Sequence, residues 1–240
     1  MNRFESSVSP SGLFSGPNRK PTFILLWAPI VLTTWKYYGT KPFYLDQLAS
    51  RFAFGGNPAQ AAELFTFAMS FLLLGLFSIL FIKLLFKEPL ADFGLGLGDW
   101  RFALKAISVL VPVMAIVAYP SSKDPQFLAE YPLFKGAAAS AGAFAFHALA
   151  YLFFYIGWEI FFRGFMQFGL RESLGDWNAI LVQTALSCVV HIGKPSGEIY
   201  SSVLGGLMWG ILAFRTRSLM TNIVTHWMLG VSLDLYICFF

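Results

Sequence analysis

The 240-residue chain reads as an all-α polytopic transmembrane bundle of about seven spans, with its polar site on the C-terminal half. Three observations carry that reading. Only 12% of residues are charged, about half of the roughly 25% found in a soluble domain. The apolar runs approach the ~20 residues that cross a hydrocarbon core as helix. Ionisable side chains nearly vanish from those runs. Together these exclude a soluble enzyme, a disordered chain, a disulfide-stapled secreted fold and a nucleic-acid binder. Cys188 and Cys238 lie inside apolar runs and make neither a disulfide framework nor a zinc pattern.

The elements follow in order. Residues 1–21 form a polar N-terminal tail rich in Ser, Pro and Gly, without the apolar stretch of a signal peptide. The first span therefore acts as an uncleaved anchor. Residues 22–130 hold the N-terminal spans 22–38, 61–86 and 103–119, separated by Pro42, the Gly55-Gly56-Asn57-Pro58 turn and Pro89. Gly94, Gly96 and Gly98 lack the GxGxxG spacing of a dinucleotide loop and read as a flexible interfacial loop. After Pro120 to Pro132, residues 131–240 carry spans at 137–168, 178–192, 199–214 and 219–240, with Gly193-Lys194-Pro195 between two of them. The first of these exceeds one crossing and must tilt, project or break. Ser202, Gly206 and Gly210 form a small-residue ladder for close internal helix packing. An inside N-terminus divides Lys and Arg ten to six in favour of the inner side, with Arg163 left in the membrane. The expected location is multi-pass in the cell (plasma) membrane with a cytoplasmic N-terminus, the lipid bilayer being one partner.

Ionisable groups inside lipid are expensive and mark functional sites by default. Here they are His147, Glu159 and Arg163 in the fourth span, His191 at the end of the fifth, and His226 and Asp234 in the seventh. Glu159 and Arg163 are spaced i, i+4 and share a helix face. A pair that merely cancels two buried charges is the plainer reading, yet hydrophobic residues fill such a place more stably in most cases. A lone apolar-face histidine is usually a packing residue, and His147 in its Ala-rich segment reads that way. His191 and His226, converging with the Glu159–Arg163 pair from two further helices, make a polar cavity instead. A carboxylate and a neutral imidazole polarise water for attack on a carbonyl, and a second histidine donates to the oxyanion. The same Glu159, His191 and His226 also make a possible zinc ligand set with an open fourth position. Glu198 reads as stabilising a helix start, where a carboxylate meets the positive end of the dipole, or as touching a substrate entrance.

Trp158-Glu159-Ile160-Phe161-Phe162-Arg163-Gly164 resembles the EExxxR-G motif of the CPBP family, intramembrane proteases that include type II CAAX prenyl endopeptidases and bacteriocin-processing homologues. Ser187-Cys188-Val189-Val190-His191 falls where that family has FxxxH, and His226 to Gly230 where it has HxxxN. Order and separation agree over residues 131–240, with a weaker echo in Phe93-Gly94-Leu95. Three positions depart: Trp158 replaces the first Glu, Ser187 the Phe and Gly230 the Asn. In the family the first Glu and the second-motif His activate water, and the third-motif His and Asn hold the oxyanion.

Carried onto this chain, the resemblance implies a glutamic-type intramembrane endopeptidase. Glu159 is then the general base, His191 its partner, His226 the oxyanion donor, and Arg163 the group that holds Glu159 ionised. A neighbouring helical residue points about 100° away, so with Trp158 in the first position the water shifts or the helix turns. Asp234, at i+8 from His226, either replaces the missing polar group or pairs with a buried histidine. No cofactor is expected, zinc being the alternative, and the substrate is a membrane-anchored protein or peptide. A non-catalytic binding or immunity protein on the same fold is the runner-up, and a transporter comes last because the first three spans offer few polar residues.

Overall fold

The computed structural model describes residues 10–52 and 57–240; the first nine residues of the tail and the Gly55-Gly56 part of the predicted turn lie outside them. Among the described residues every regular element is helical. Five stretches are long and apolar enough to cross a membrane: Pro58–Phe86, Trp100–Ser121, Ala141–Val190, Ser196–Thr216 and Met220–Phe239. The protein is an all-α polytopic membrane protein. We label the helices α1 (Arg19–Tyr38), α2 (Pro58–Phe86), α3 (Trp100–Ser121), α4 (Ala141–Glu159, continued by the π-helical turns Ile160–Phe168), α5 (Gly169–Val190), α6 (Ser196–Thr216) and α7 (Met220–Phe239).

Five rather than seven reflects two features. The 20-residue α1 has cationic ends, Arg19-Lys20 and Lys36, around its apolar middle. Spans expected at 137–168 and 178–192 are joined in one 50-residue helical stretch. That stretch is not straight. Gly175 sits at φ 74, ψ 168, a left-handed conformation that suits glycine alone among common residues. At 1.5 Å per residue a straight helix would part residues 158 and 191 by about 50 Å, yet the rings of Trp158 and His191 lie 5.4 Å apart. Thus α5 folds back beside α4, and Arg171 bridges to Asp176 at 2.7 Å across the reversal.

Side-chain caps set several starts. Asn57 accepts from the N–H groups of Ala59 and Gln60, with Pro58 at the first helical position of α2. Asp99 accepts from Phe102 N–H at 3.1 Å to open α3. Ser140 accepts from Ala143 N–H at 3.1 Å, so α4 begins at Ala141 and Lys135–Ala139 stays a 3-10 turn, not the helix expected from 137.

Polar contacts gather the helix ends into two groups. In one, Lys20 reaches Glu88 at 3.0 Å and Glu172 at 3.1 Å, and Arg215 reaches Asp99 at 2.9 Å. The glycine loop, expected to be flexible, is fastened here: Leu219 N–H donates to Gly94 O, Ser218 Oγ to Gly96 O, and Asp99 N–H to Thr216 O. In the other group Lys194 reaches Glu130 at 2.5 Å, Tyr131 donates to Glu198, and Lys41 donates to Leu133 O.

Between these ends α7 lies chiefly along α3, α6 along α5, and α4 against α2. Phe161, Phe162 and Phe165 of α4 are fully enclosed against Ile24 of α1 and Leu74 of α2. Lipid removes the usual hydrophobic drive between helices, so close packing has to hold them. Small residues supply it: Gly206 sits against Thr184, and Gly210 against Ile180 and Gln183, which places the Ser202-Gly206-Gly210 ladder on the α5–α6 contact. Outward the surface is apolar; only 17% of the α3 window is buried inside the molecule.

Candidate active site

The site grows from one stripe of α4. Glu159, Arg163 and Gln167 recur every four residues along a face turned wholly inward, and all three are buried. Glu159 ends the α-helical part, and the turns that carry Arg163 and Gln167 are π-helical, a form that recurs at functional positions. Arg163 Nη1 donates to Glu159 Oε1 at 3.2 Å. From α7, His226 Nδ1 donates to the same oxygen at 2.7 Å, and Asn222 Nδ2 donates to Oε2 at 3.4 Å and to Trp209 O at 2.8 Å. Burying an isolated carboxylate is prohibitive, so the cluster exists only because a guanidinium and an imidazole meet it. The imidazole is stacked on Trp209 at 3.9 Å, and Tyr155 stands 4.7 Å from its other side. Arg163 lies over the same indole at 5.6 Å.

The sequence pairs Glu159 with His191; the structure gives it His226. His191 sits at the end of α5, its Nδ1–H donating to Ser187 O at 2.7 Å and its Nε2 3.9 Å from Glu198 Oε1 on α6. Trp158, in the place of the family's first Glu, offers His191 an indole face at 5.4 Å where a carboxylate was looked for. Glu159, His191 and His226 therefore divide between two clusters. Among the described residues no group of three His, Cys, Asp or Glu side chains is placed to hold a metal ion, so the trio does not form the zinc site weighed from the sequence.

Glu198 falls in the first turn of α6, as a helix-start carboxylate does. Both its oxygens also accept from the Tyr131 hydroxyl, at 2.9 and 2.8 Å. Burial, with the Glu198 charge beside it, pushes the Tyr131 phenol well above its usual range, which keeps it an O–H donor.

Asp234 is elsewhere. Its Oδ2 lies 2.7 Å from His147 Nε2, and Glu63 Oε1 lies 2.7 Å from His147 Nδ1, forming an acid–histidine–acid row across α2, α4 and α7. Asp234 thus pairs with a buried histidine and does not replace the missing polar group beside His226. At Gly230 a Cβ would run into the Tyr155 hydroxyl, so that phenol occupies the place an asparagine side chain would need.

Sequence reasoning, which searched for titratable groups, passed over Asn222, Gln167, Gln183, Tyr131 and Glu63. For the amides a signal was present. Gln183, Ser187 and His191 repeat every four residues on α5, and Asn222 and His226 do so on α7; Gln183 donates to Gly206 O and Gln167 to Gly210 O, tying α4 and α5 to α6. For Glu63 and Tyr131, helices and loops distant in the chain supply the partners, and no local pattern announces them.

Residues 140–231 match a protein-family model described as type II CAAX prenyl endopeptidase Rce1-like. That stretch runs from the cap of α4 through most of α7, and so contains Glu159, Arg163, His191, Glu198 and His226. Comparison with curated proteins and with solved structures found no match. Over this part of its length the chain is homologous to CAAX-protease-type membrane proteins.

Proposed function

We propose that the protein is an intramembrane endopeptidase that hydrolyses a peptide bond of a membrane-anchored protein or peptide. One observation carries the reading: within the family-matched segment, a fully buried glutamate is held between an arginine on its own helix and a histidine from α7. In this reading Arg163 keeps Glu159 ionised and Glu159 holds the Nδ1 proton of His226. His226 acts as an imidazolium, its second proton taken from solvent before the substrate binds and its charge balanced by Glu159, and donates from Nε2 to the developing oxyanion, a contribution worth roughly 3 kcal/mol of barrier. Glu159 itself is fully enclosed and surrounded by His226, Arg163 and Asn222. We therefore move Glu159 from general base to partner of His226, and leave water activation on the side of His191, whose side chain is 16% exposed.

We further read seven crossings, α1 to α7, with α4 and α5 as separate passes joined at Gly175. The grouping of Lys20, Glu88, Asp99, Glu172 and Arg215 at one end, and of Lys41, Glu130, Lys194 and Glu198 at the other, supports it. The positive-inside rule puts the first group on the cytoplasmic side.

The test uses full-length protein in lipid vesicles with fluorescent membrane-anchored peptides, farnesylated CAAX tails among them. Glu159→Gln and His226→Ala are expected to abolish cleavage while the protein remains folded. Full cleavage by both variants sinks the reading and leaves the non-catalytic alternative.

A further inference from the structure

A peptidase needs a base that water can reach, and two features outside the sealed Glu159 cluster meet that need. His191 donates its Nδ1 proton to Ser187 O, which leaves Nε2 as an acceptor. Facing it is the Glu198 carboxylate, at 3.9 Å. That separation is too long for a direct hydrogen bond, and across such a gap a water can serve both groups. The side chains are 16% and 21% exposed, so the pair opens to the molecular surface. Lys194 and Pro195, between the two in the chain, line a surface cleft of about 290 Å³ together with Gln126 and Glu130. The polar surroundings are complete: Tyr131 donates to Glu198, Lys194 pairs with Glu130, and Lys36 of α1 lies within electrostatic range of Lys194, Glu130 and Glu198. Towards the interior, Arg163 and His226 lie within electrostatic range of His191, and Tyr155 within range of both Glu198 and Glu159.

We propose that His191 and Glu198 are the water-activating pair, with Glu198 the general base. The proposal rests on the peptidase reading above. A water donates one hydrogen to His191 Nε2 and the other to the Glu198 carboxylate, which turns its oxygen lone pair toward the scissile carbonyl. As the water oxygen bonds to the carbonyl carbon, its proton passes to Glu198 and the carbonyl oxygen becomes an oxyanion facing His226. Collapse breaks the C–N bond, and Glu198 returns the proton to the departing amine. Tyr131, bound to both carboxylate oxygens, is a positioning residue that holds Glu198 toward His191.

Two measurements on full-length protein test this. In the first, the His191 imidazole is titrated by NMR in detergent micelles, in wild type and in Glu198→Gln. Removing a facing negative charge destabilises the imidazolium, so the midpoint is expected to fall. An unmoved midpoint overturns the pairing whether or not any peptide is cleaved. In the second, cleavage in vesicles is compared between wild type, Glu198→Gln, Glu198→Ala with added formate, and Glu159→Gln. Glu198→Gln is expected to lose about 100-fold or more in kcat with KM nearly unchanged, and formate to restore part of the activity to Glu198→Ala. Wild-type kcat in Glu198→Gln beside an inactive Glu159→Gln overturns the inference and leaves the peptidase reading standing. Unaltered cleavage by Glu159→Gln and His226→Ala, with Glu198→Gln inactive, overturns the reading of the sealed cluster and leaves the pair.

Discussion

α4 carries two buried acid–histidine clusters twelve residues apart, one at His147 and one at Glu159, and they are built differently. At His147 the imidazole is flanked by two carboxylates, Glu63 and Asp234, and each ring nitrogen faces a carboxylate oxygen at 2.7 Å. At Glu159 the order is reversed: one carboxylate is flanked by a guanidinium and an imidazole, and only Nδ1 of His226 is taken. The first arrangement ties α2, α4 and α7 together and leaves no nitrogen for a substrate. The second leaves an imidazole edge, with the His226 side chain 14% exposed. A histidine whose two nitrogens are both spent clamps helices; one anchored at a single nitrogen can do chemistry.

The comparison breaks most readily on stability. His147→Ala leaves Glu63 and Asp234 facing one another without a counter-charge, and is expected to lose about 3–5 kcal/mol, read as a lowered melt in detergent. Replacing Glu63, His147 and Asp234 together by apolar residues of similar volume is expected to restore most of that loss and to leave cleavage per folded molecule intact; lost cleavage would give the outer cluster a part in the chemistry. Next comes His226→Gln, expected to keep the fold and slow cleavage by about 10²–10³-fold, measured as kcat in vesicles. Gly230→Ala pushes a methyl onto the Tyr155 hydroxyl beside His226 and is expected to lose about 1–3 kcal/mol; a melt equal to wild type would mean that the phenol moves aside. The smallest effect falls at the start of α4, where Ser140→Ala removes the cap and about 1 kcal/mol with no change in cleavage per folded molecule.

Much of the architecture was legible because lipid imposes it. Apolar length and the scarcity of charge located every long helix, and the i, i+4 spacing put Glu159 and Arg163 in contact. Partners across helices were less legible. Glu159 takes His226 in place of His191 because α7 brings its imidazole to the Arg163 face, while Trp158 fills the space toward α5. Helical spacing fixes which residues share a stripe, but not how far each helix slides along its neighbour. That sliding is set here by small residues such as Gly206 and Gly210, and by end contacts such as Lys20 to Glu172. Glu198 reads from the sequence as a helix-start carboxylate or a residue at a substrate entrance; its partner Tyr131 lies 67 residues away in sequence, where no local pattern points to it.

The Gly175 reversal has a consequence for biogenesis. Arg171 and Asp176 close on each other across Gly175, so only a few residues separate the two arms of the stretch. In chain order α5 follows the Glu159–Arg163 pair directly, and α7, which supplies His226, is made last. Until then the pair lacks its imidazole partner, while Gln167 and Gln183 already stand on the helices that α6 joins.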